Sequence, residues 1–201
     1  MDFWKQAQQW LPAFEKLGYT VPPPMKFTIH GIWAENFIGL WPAPPCPIPQ
    51  TPFNVALMNC HMRQRMMVSW PNVEYGAHEK FWNYEWHTHE DFSKSLYDQV
   101  AFFTIALDLK DRFDLVKIPN AAQMHWSFSI PLDLGNLNAT ILAAITGVLI
   151  LSCSWVYNQA FGRYGEVLKE VRICFDLHFM VINYPPRNDP NDCIGPIIYL
   201  V

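Results

Sequence analysis

The stretch Phe27-Thr28-Ile29-His30-Gly31-Ile32-Trp33 sets one histidine among aromatic and β-branched residues that favour a strand, behind the stiff extended lead of Pro22-Pro23-Pro24. His30 is thereby expected at a strand end. Further along, Phe81-Trp82-Asn83-Tyr84-Glu85-Trp86-His87-Thr88-His89-Glu90 again sets histidines among aromatics and adds a carboxylate. Two imidazoles on separate elements are what general acid/base chemistry near neutral or mildly acidic pH requires, because one takes a proton while the other gives one.

Residues 78–90 suit a short helix. At about 100° per residue, Tyr84, Glu85, Thr88 and His89 share one face, whereas His87 points away from His89. Glu85 and His89 then form an i, i+4 pair in which the carboxylate orients the ring and favours its protonated form. Other chemistries fail on spacing. His78-Glu79 has no histidine at position 82, so there is no HExxH zinc site, and neither a GxSxG elbow nor a phosphate-cradling glycine loop occurs.

Working outward, residues 3–16 are expected to run as a strand into a turn, with Pro12 limiting any helix. The proline-rich segment from Ala34 to Pro52 is expected as a surface loop. Helices are expected over 53–69, ended by Trp70-Pro71-Asn72, and over 94–113, where Leu96, Val100, Phe103, Ala106 and Leu107 recur at helical spacing. Another is expected over 137–151. Residues 167–183 alternate well enough for one or two strands, and 194–201 for a last one. The mixture predicts an α+β fold with a central, mostly antiparallel sheet flanked by helices, and no internal repeat is visible.

The chain of 201 residues, 51% apolar, fits a single domain spanning 1–201 with a substantial core. Its formal charge of −4 argues against gripping polyanions by bulk electrostatics, so capture of a nucleic acid would have to be local and based on stacking. Abundant aromatics and prolines with few charges suit an extracellular or lumenal protein, although no signal peptide is visible at Met-Asp-Phe-Trp. No charge occurs between Asp133 and Arg163, but the strongly apolar run Ile141 to Leu151 is too short for a bilayer, which needs about twenty residues. A buried helix is expected there, not a membrane span. Five cysteines leave at least one thiol unpaired, and no CxxC pair suggests zinc.

The first quoted segment closely resembles the first active-site segment of the ribonuclease T2 family, and Phe81 to His89 resembles the second, usually written FWxHEWxKHG. Three further pieces match in order: Gln8-Gln9-Trp10, Trp70-Pro71-Asn72-Val73, and Leu168-Lys169-Glu170-Val171-Arg172-Ile173-Cys174-Phe175-Asp176. The resemblance covers nearly the whole chain and is closest to the plant S-like and self-incompatibility branches. It implies a metal-independent, cofactor-free endoribonuclease that cleaves single-stranded RNA through a 2′,3′-cyclic phosphate. No role for DNA is implied, and the chain is expected to act as a monomer. His89 would be general base on the 2′-hydroxyl and His30 general acid toward the leaving 5′-oxygen, with Glu85 steadying the charge. Trp33 would wall the site. Gln9, Asn72, Val73 and Phe81 would hold a base by hydrogen bonds and stacking.

The departures are as specific. Where the family pattern has His, Lys and Gly, this chain has Tyr84, Thr88 and Glu90. Two cationic donors are replaced, and losing one well-placed donor typically costs about 10²- to 10³-fold in rate. Weakened cleavage is therefore expected, with Tyr84 donating at most a neutral hydrogen bond. The alternative on the same scaffold is a pseudo-ribonuclease that binds RNA or regulates without cutting. By the same resemblance Cys153 pairs with Cys193, while Cys46 and Cys174 lack partners near Phe92 and Asn188, and Cys60 is extra. Asn138-Ala139-Thr140 is a glycosylation sequon.

Overall fold

The computed structural model describes residues 1–16, 26–37, 52–73, 76–89, 96–117, 132–145, 147, 149–158, 163–183, 193 and 197–198. In chain order its elements are β1 (Phe3–Trp10), α1 (Leu11–Lys16), β2 (Phe27–Glu35), a 3-10 turn (Val55–Leu57), α2 (Cys60–Ser69), α3 (His78–His89), α4 (Gln99–Arg112), β3 (Leu132–Asp133), α5 (Leu134–Ile145), β4 (Ile150–Asn158), β5 (Arg163–Phe175), β6 (Val181–Ile182) and β7 (Ile197–Ile198). The main sheet runs β2-β1-β5-β4 with β6 added to β5, and β3 pairs with β7 apart from it. All of these pairings are antiparallel, as expected for the α+β class.

The sheet is organised by a conflict of parity in β2. Phe27 and Ile29 share one parity and Ile32 and Ala34 the other, yet all four lie in the core. A regular strand would send one pair to the opposite face. The ladder resolves this with a bulge: Gln8 pairs with Ile29 and Ala7 with Gly31, so His30 is skipped between them. β5 does the same against β4, where Ser152 pairs with Glu170 and Cys153 with Leu168, skipping Lys169. Leu168 thereby joins Val171 in the core.

On the buried face of the sheet, Trp4, Trp10, Phe27 and Ile32 meet Trp70, Trp82, Trp86, Phe102 and Phe103 from the helical side. The rings pack tilted and edge to face, with centroids 5.4 Å apart for Trp86–Phe102 and 5.2 Å for Trp70–Phe103. α4 carries Phe102, Phe103, Ala106 and Leu107 inward. It is tied to β1 by the Gln6 side-chain amide, which donates to the Ala106 carbonyl at 2.8 Å.

Capping corrects several expected boundaries. Asp98 accepts from the Ala101 N–H, so α4 starts at Gln99 and not at 94. Asn54 and Asn59 cap in succession, dividing the expected 53–69 helix into a 3-10 turn and α2. After Trp10 the expected turn is the short helix α1, with Pro12 in its first turn where an N–H has no intrahelical partner. The helix expected over 137–151 is α5, ending at Ile145. From Ile150 the chain becomes β4, a strand the sequence reading lacked, because nine residues gain partners on β5. Cys153 is bonded to Cys193, closing a separation of 40 residues; Cys60 is a free, exposed thiol, and Cys174 is buried. Cys46, Glu90, Phe92, Asn188 and residues 38–51 of the proline-rich segment lie outside the described residues, as does the side chain of Asn138. Among the described residues no helix is long and apolar enough to cross a membrane.

Candidate active site

The bulge that admits both halves of β2 to the core also positions His30. Its carbonyl accepts the Trp70 indole N–H at 2.8 Å, and the Trp70 carbonyl accepts the Trp82 indole N–H at 2.7 Å. One aromatic relay therefore ties the bulged residue to the turn after α2 and to α3.

The His30 imidazole is held from one side and open on the other. Its Nδ1 lies 2.7 Å from Glu170 Oε2, and the other Glu170 oxygen accepts the Arg172 Nε–H at 2.7 Å. The Glu170 side chain is 3% exposed and that of His30 41%. Burial opposes ionisation of Glu170, but the hydrogen bond and charge of His30, reinforced by Arg172, hold its carboxyl well below the usual carboxylate range. An ionised carboxylate only accepts, so Nδ1 donates and Nε2 is left for a bound molecule. For His30 itself, burial pulls the pKa down, Lys169 adds to that, and the bond and charge of Glu170 with the charge of Glu85 outweigh both, raising it above 6.5. The Trp33 ring meets His30 edge-on at 5.4 Å, and the Phe81 ring lies nearly parallel to it at 6.3 Å.

Glu85 projects from α3 into the cover of β2. It is 1% exposed, and neither oxygen makes a hydrogen bond of good geometry among the described residues. The Trp33 indole N–H is the donor standing against it. Gly31 makes room for both: a Cβ there would run into Glu85 Oε2 and Trp33 Nε1. Burial pushes the Glu85 carboxyl up to about 7, against the opposing charge of His30 and the Trp33 N–H and with a small addition from Glu170. Near neutrality this carboxyl therefore takes up or releases a proton.

A cavity of about 510 Å³ opens beside these groups, lined by Gln9, Phe14, His30, Asn72, Val73, Lys80, Phe81, Tyr84, Glu85 and Lys169. Seven of these were singled out from the sequence: His30, Glu85, Gln9, Asn72, Val73, Phe81 and Tyr84. Of the others, Trp33 stands behind His30 and Glu85, and half-buried Thr88 is not part of the lining. His89 ends α3, and its side chain lies outside the described residues. Phe14, Lys80, Lys169 and Glu170 join the site without having stood out in the sequence. The break in apolar parity at Lys169 was a signal for two of them. Asn72 is placed by its backbone N–H, which donates to His78 Nδ1 at 3.0 Å, while Val73 packs with Leu11 and Phe14. Among the described residues no group of three or more His, Cys, Asp or Glu side chains is placed to hold a metal ion.

The model of the Ribonuclease T2 family matches residues 1–193. Ribonuclease MC of Momordica charantia is 32% identical over 57% of this chain and 60% of its own length. Extracellular ribonuclease LE of Solanum lycopersicum is 31% identical over 87% of this chain and 76% of its own. Among solved structures, RNase NT in complex with 5′-AMP superposes with a TM-score of 0.83 at 21% identity, covering 99% of this chain and 97% of that one. A match of this extent, collinear with the site just described, shows that the chain belongs to the ribonuclease T2 family of RNA endonucleases.

Proposed function

We propose that the protein cleaves single-stranded RNA without a metal, through a 2′,3′-cyclic phosphate, using His30 as general acid. The observation that carries this is the His30–Glu170 bond at 2.7 Å beside the open cavity, which favours the protonated imidazole and leaves one nitrogen free. In the cleavage step the 2′-oxygen loses its proton to His89 and bonds to phosphorus. The bond from phosphorus to the 5′-oxygen breaks, and that oxygen takes the proton of His30. The His89 part rests on family resemblance and on its place at the end of α3. Glu85 steadies the charged imidazole when ionised or the phosphorane when protonated, while Gln9, Asn72, Val73 and Phe81 receive a base. The complex of RNase NT with 5′-AMP supports a nucleotide as occupant.

Cleavage is slower than in members with the full pattern, because neutral Tyr84 and Thr88 stand in place of His and Lys. An extracellular or lumenal setting is supported by the tomato relative's name and by the Cys153–Cys193 bridge. Incubating the protein with single-stranded RNA between about pH 5 and 7, and following cyclic-phosphate ends, tests the activity against its expected pH range. If wild type and His30→Ala/His89→Ala release those ends equally slowly, the enzyme reading fails. RNA binding that persists in that double variant but is lost on changing Gln9, Asn72 and Phe81 would favour the second reading, a binding protein, which the missing cations alone motivate.

A further inference from the structure

Two lysines reach the cavity that the cleavage reading has not used. Lys80 is exposed in the first turn of α3, one turn before Tyr84, and Lys169 is half-buried on β5. Among the described residues neither forms an ion pair. The place of Lys169 is built into the sheet. It is the residue skipped by the β4–β5 ladder, as His30 is by the β1–β2 ladder, so two bulges aim two basic side chains into one pocket. Lys169 is close enough for its charge to act on His30.

The charges around the cavity do not cancel. Glu170 is committed to His30 and Arg172, and Glu85, although part of the lining, is 1% exposed with its proton held up to about pH 7. The mouth therefore presents uncommitted positive charge on a chain whose net charge is −4. In a cavity that also offers the partly exposed Phe81 ring for stacking, such charge selects an anion attached to a planar ring.

We propose that Lys80 and Lys169, with His30, form the phosphate subsite of this cavity, contacting the non-bridging oxygens of an RNA phosphodiester and supplying cations that Tyr84 and Thr88 do not. The assignment rests on the ribonuclease reading for its substrate, but the binding it asserts is measured separately. Inorganic phosphate and uridine 5′-monophosphate are titrated calorimetrically into wild type, Lys80→Gln, Lys169→Gln, the double variant and Lys117→Gln, whose lysine lies outside the lining. Each single change at the site is expected to weaken phosphate binding about fivefold to tenfold, the scale of one typical net hydrogen bond. The double variant should lose more, Lys→Arg at either site should retain binding, and added salt should shrink the differences. Near-ultraviolet circular dichroism verifies that each variant is folded.

Phosphate binding by the double variant within about twofold of wild type, or no saturable binding by wild type, overturns the assignment. Lysine-dependent phosphate binding without release of cyclic-phosphate ends upholds the subsite and removes the cleavage reading. Release of those ends with phosphate binding indifferent to both lysines does the reverse.

Discussion

Replacing Glu85 by Gln separates what this carboxylate contributes to cleavage from what its burial costs the fold. The group is 1% exposed, and burial raises its pKa from 4.5 to about 7. A folded-state value above the unfolded one means that the associated stability is complete below pH 4.5 and is lost as the pH rises through about 7. At about 1.36 kcal/mol per unit, the full loss is about 3 kcal/mol. Glutamine has nearly the same shape and does not ionise. Glu85→Gln should therefore match wild type in stability near about pH 4, and exceed it by up to about 3 kcal/mol at about pH 8. Over the same range cyclic-phosphate release should fall about 10²-fold, the usual scale for losing one group that meets transition-state charge. Urea unfolding at several pH values measures the first effect and RNA cleavage the second. A stability difference that stays constant from acid to alkaline pH would refute the reasoning, because a desolvated carboxylate must respond to its own ionisation.

Three further outcomes follow from the same geometry. Glu170→Gln removes the negative charge that helps raise the His30 pKa, so the alkaline limb of the kcat/KM profile should move to lower pH; a limb that stays in place shows that His30 is not the acid. Gly31→Ala introduces a Cβ against Glu85 Oε2 and Trp33 Nε1 and should destabilise by about 1–3 kcal/mol, read as a lower Tm; an unchanged Tm means the carboxylate is not seated there. Tyr84→His with Thr88→Lys should raise kcat on single-stranded RNA at least about tenfold, more in a Lys80→Gln/Lys169→Gln background. Most of that gain should come from position 84, which lines the cavity while 88 does not; no gain in either background means that missing charge does not limit the rate.

What could be read in advance was what the chain writes locally. The β-branched and aromatic run around His30 made a strand, and helical spacing put Tyr84, Glu85, Thr88 and His89 on one face, of which Tyr84 and Glu85 line the cavity. Contacts across elements were not legible. The wheel paired Glu85 with His89, whose side chain lies outside the described residues, but could not show that Glu85 is buried under Gly31 and beside Trp33 where α3 packs on β2. The Glu170 clamp joins residues 140 positions apart, which no local pattern announces. The apolar run from Ile141 to Leu151 satisfies helix and buried strand alike, so only the pairing with β5 decides where one ends and the other starts. The parity breaks at His30 and Lys169 were present in the sequence but acquire meaning only once the buried face of the sheet is known.

The two bulges divide the constraints on this chain into identity and length. A skipped residue has no cross-strand neighbour to match, so positions 30 and 169 accept another residue type without disturbing the alternation that packs Ile29 with Ile32, or Leu168 with Val171. Deleting either residue instead reverses the facing of the rest of its strand and expels half of an apolar set from the core. His30→Ala should therefore yield folded protein where deletion of His30 yields none, a contrast that soluble expression and circular dichroism would reveal. Descent on this scaffold can thus discard the imidazole at position 30 in a single substitution and keep the whole sheet. An architecture that cuts RNA is in this way also one that can stop cutting without ceasing to fold.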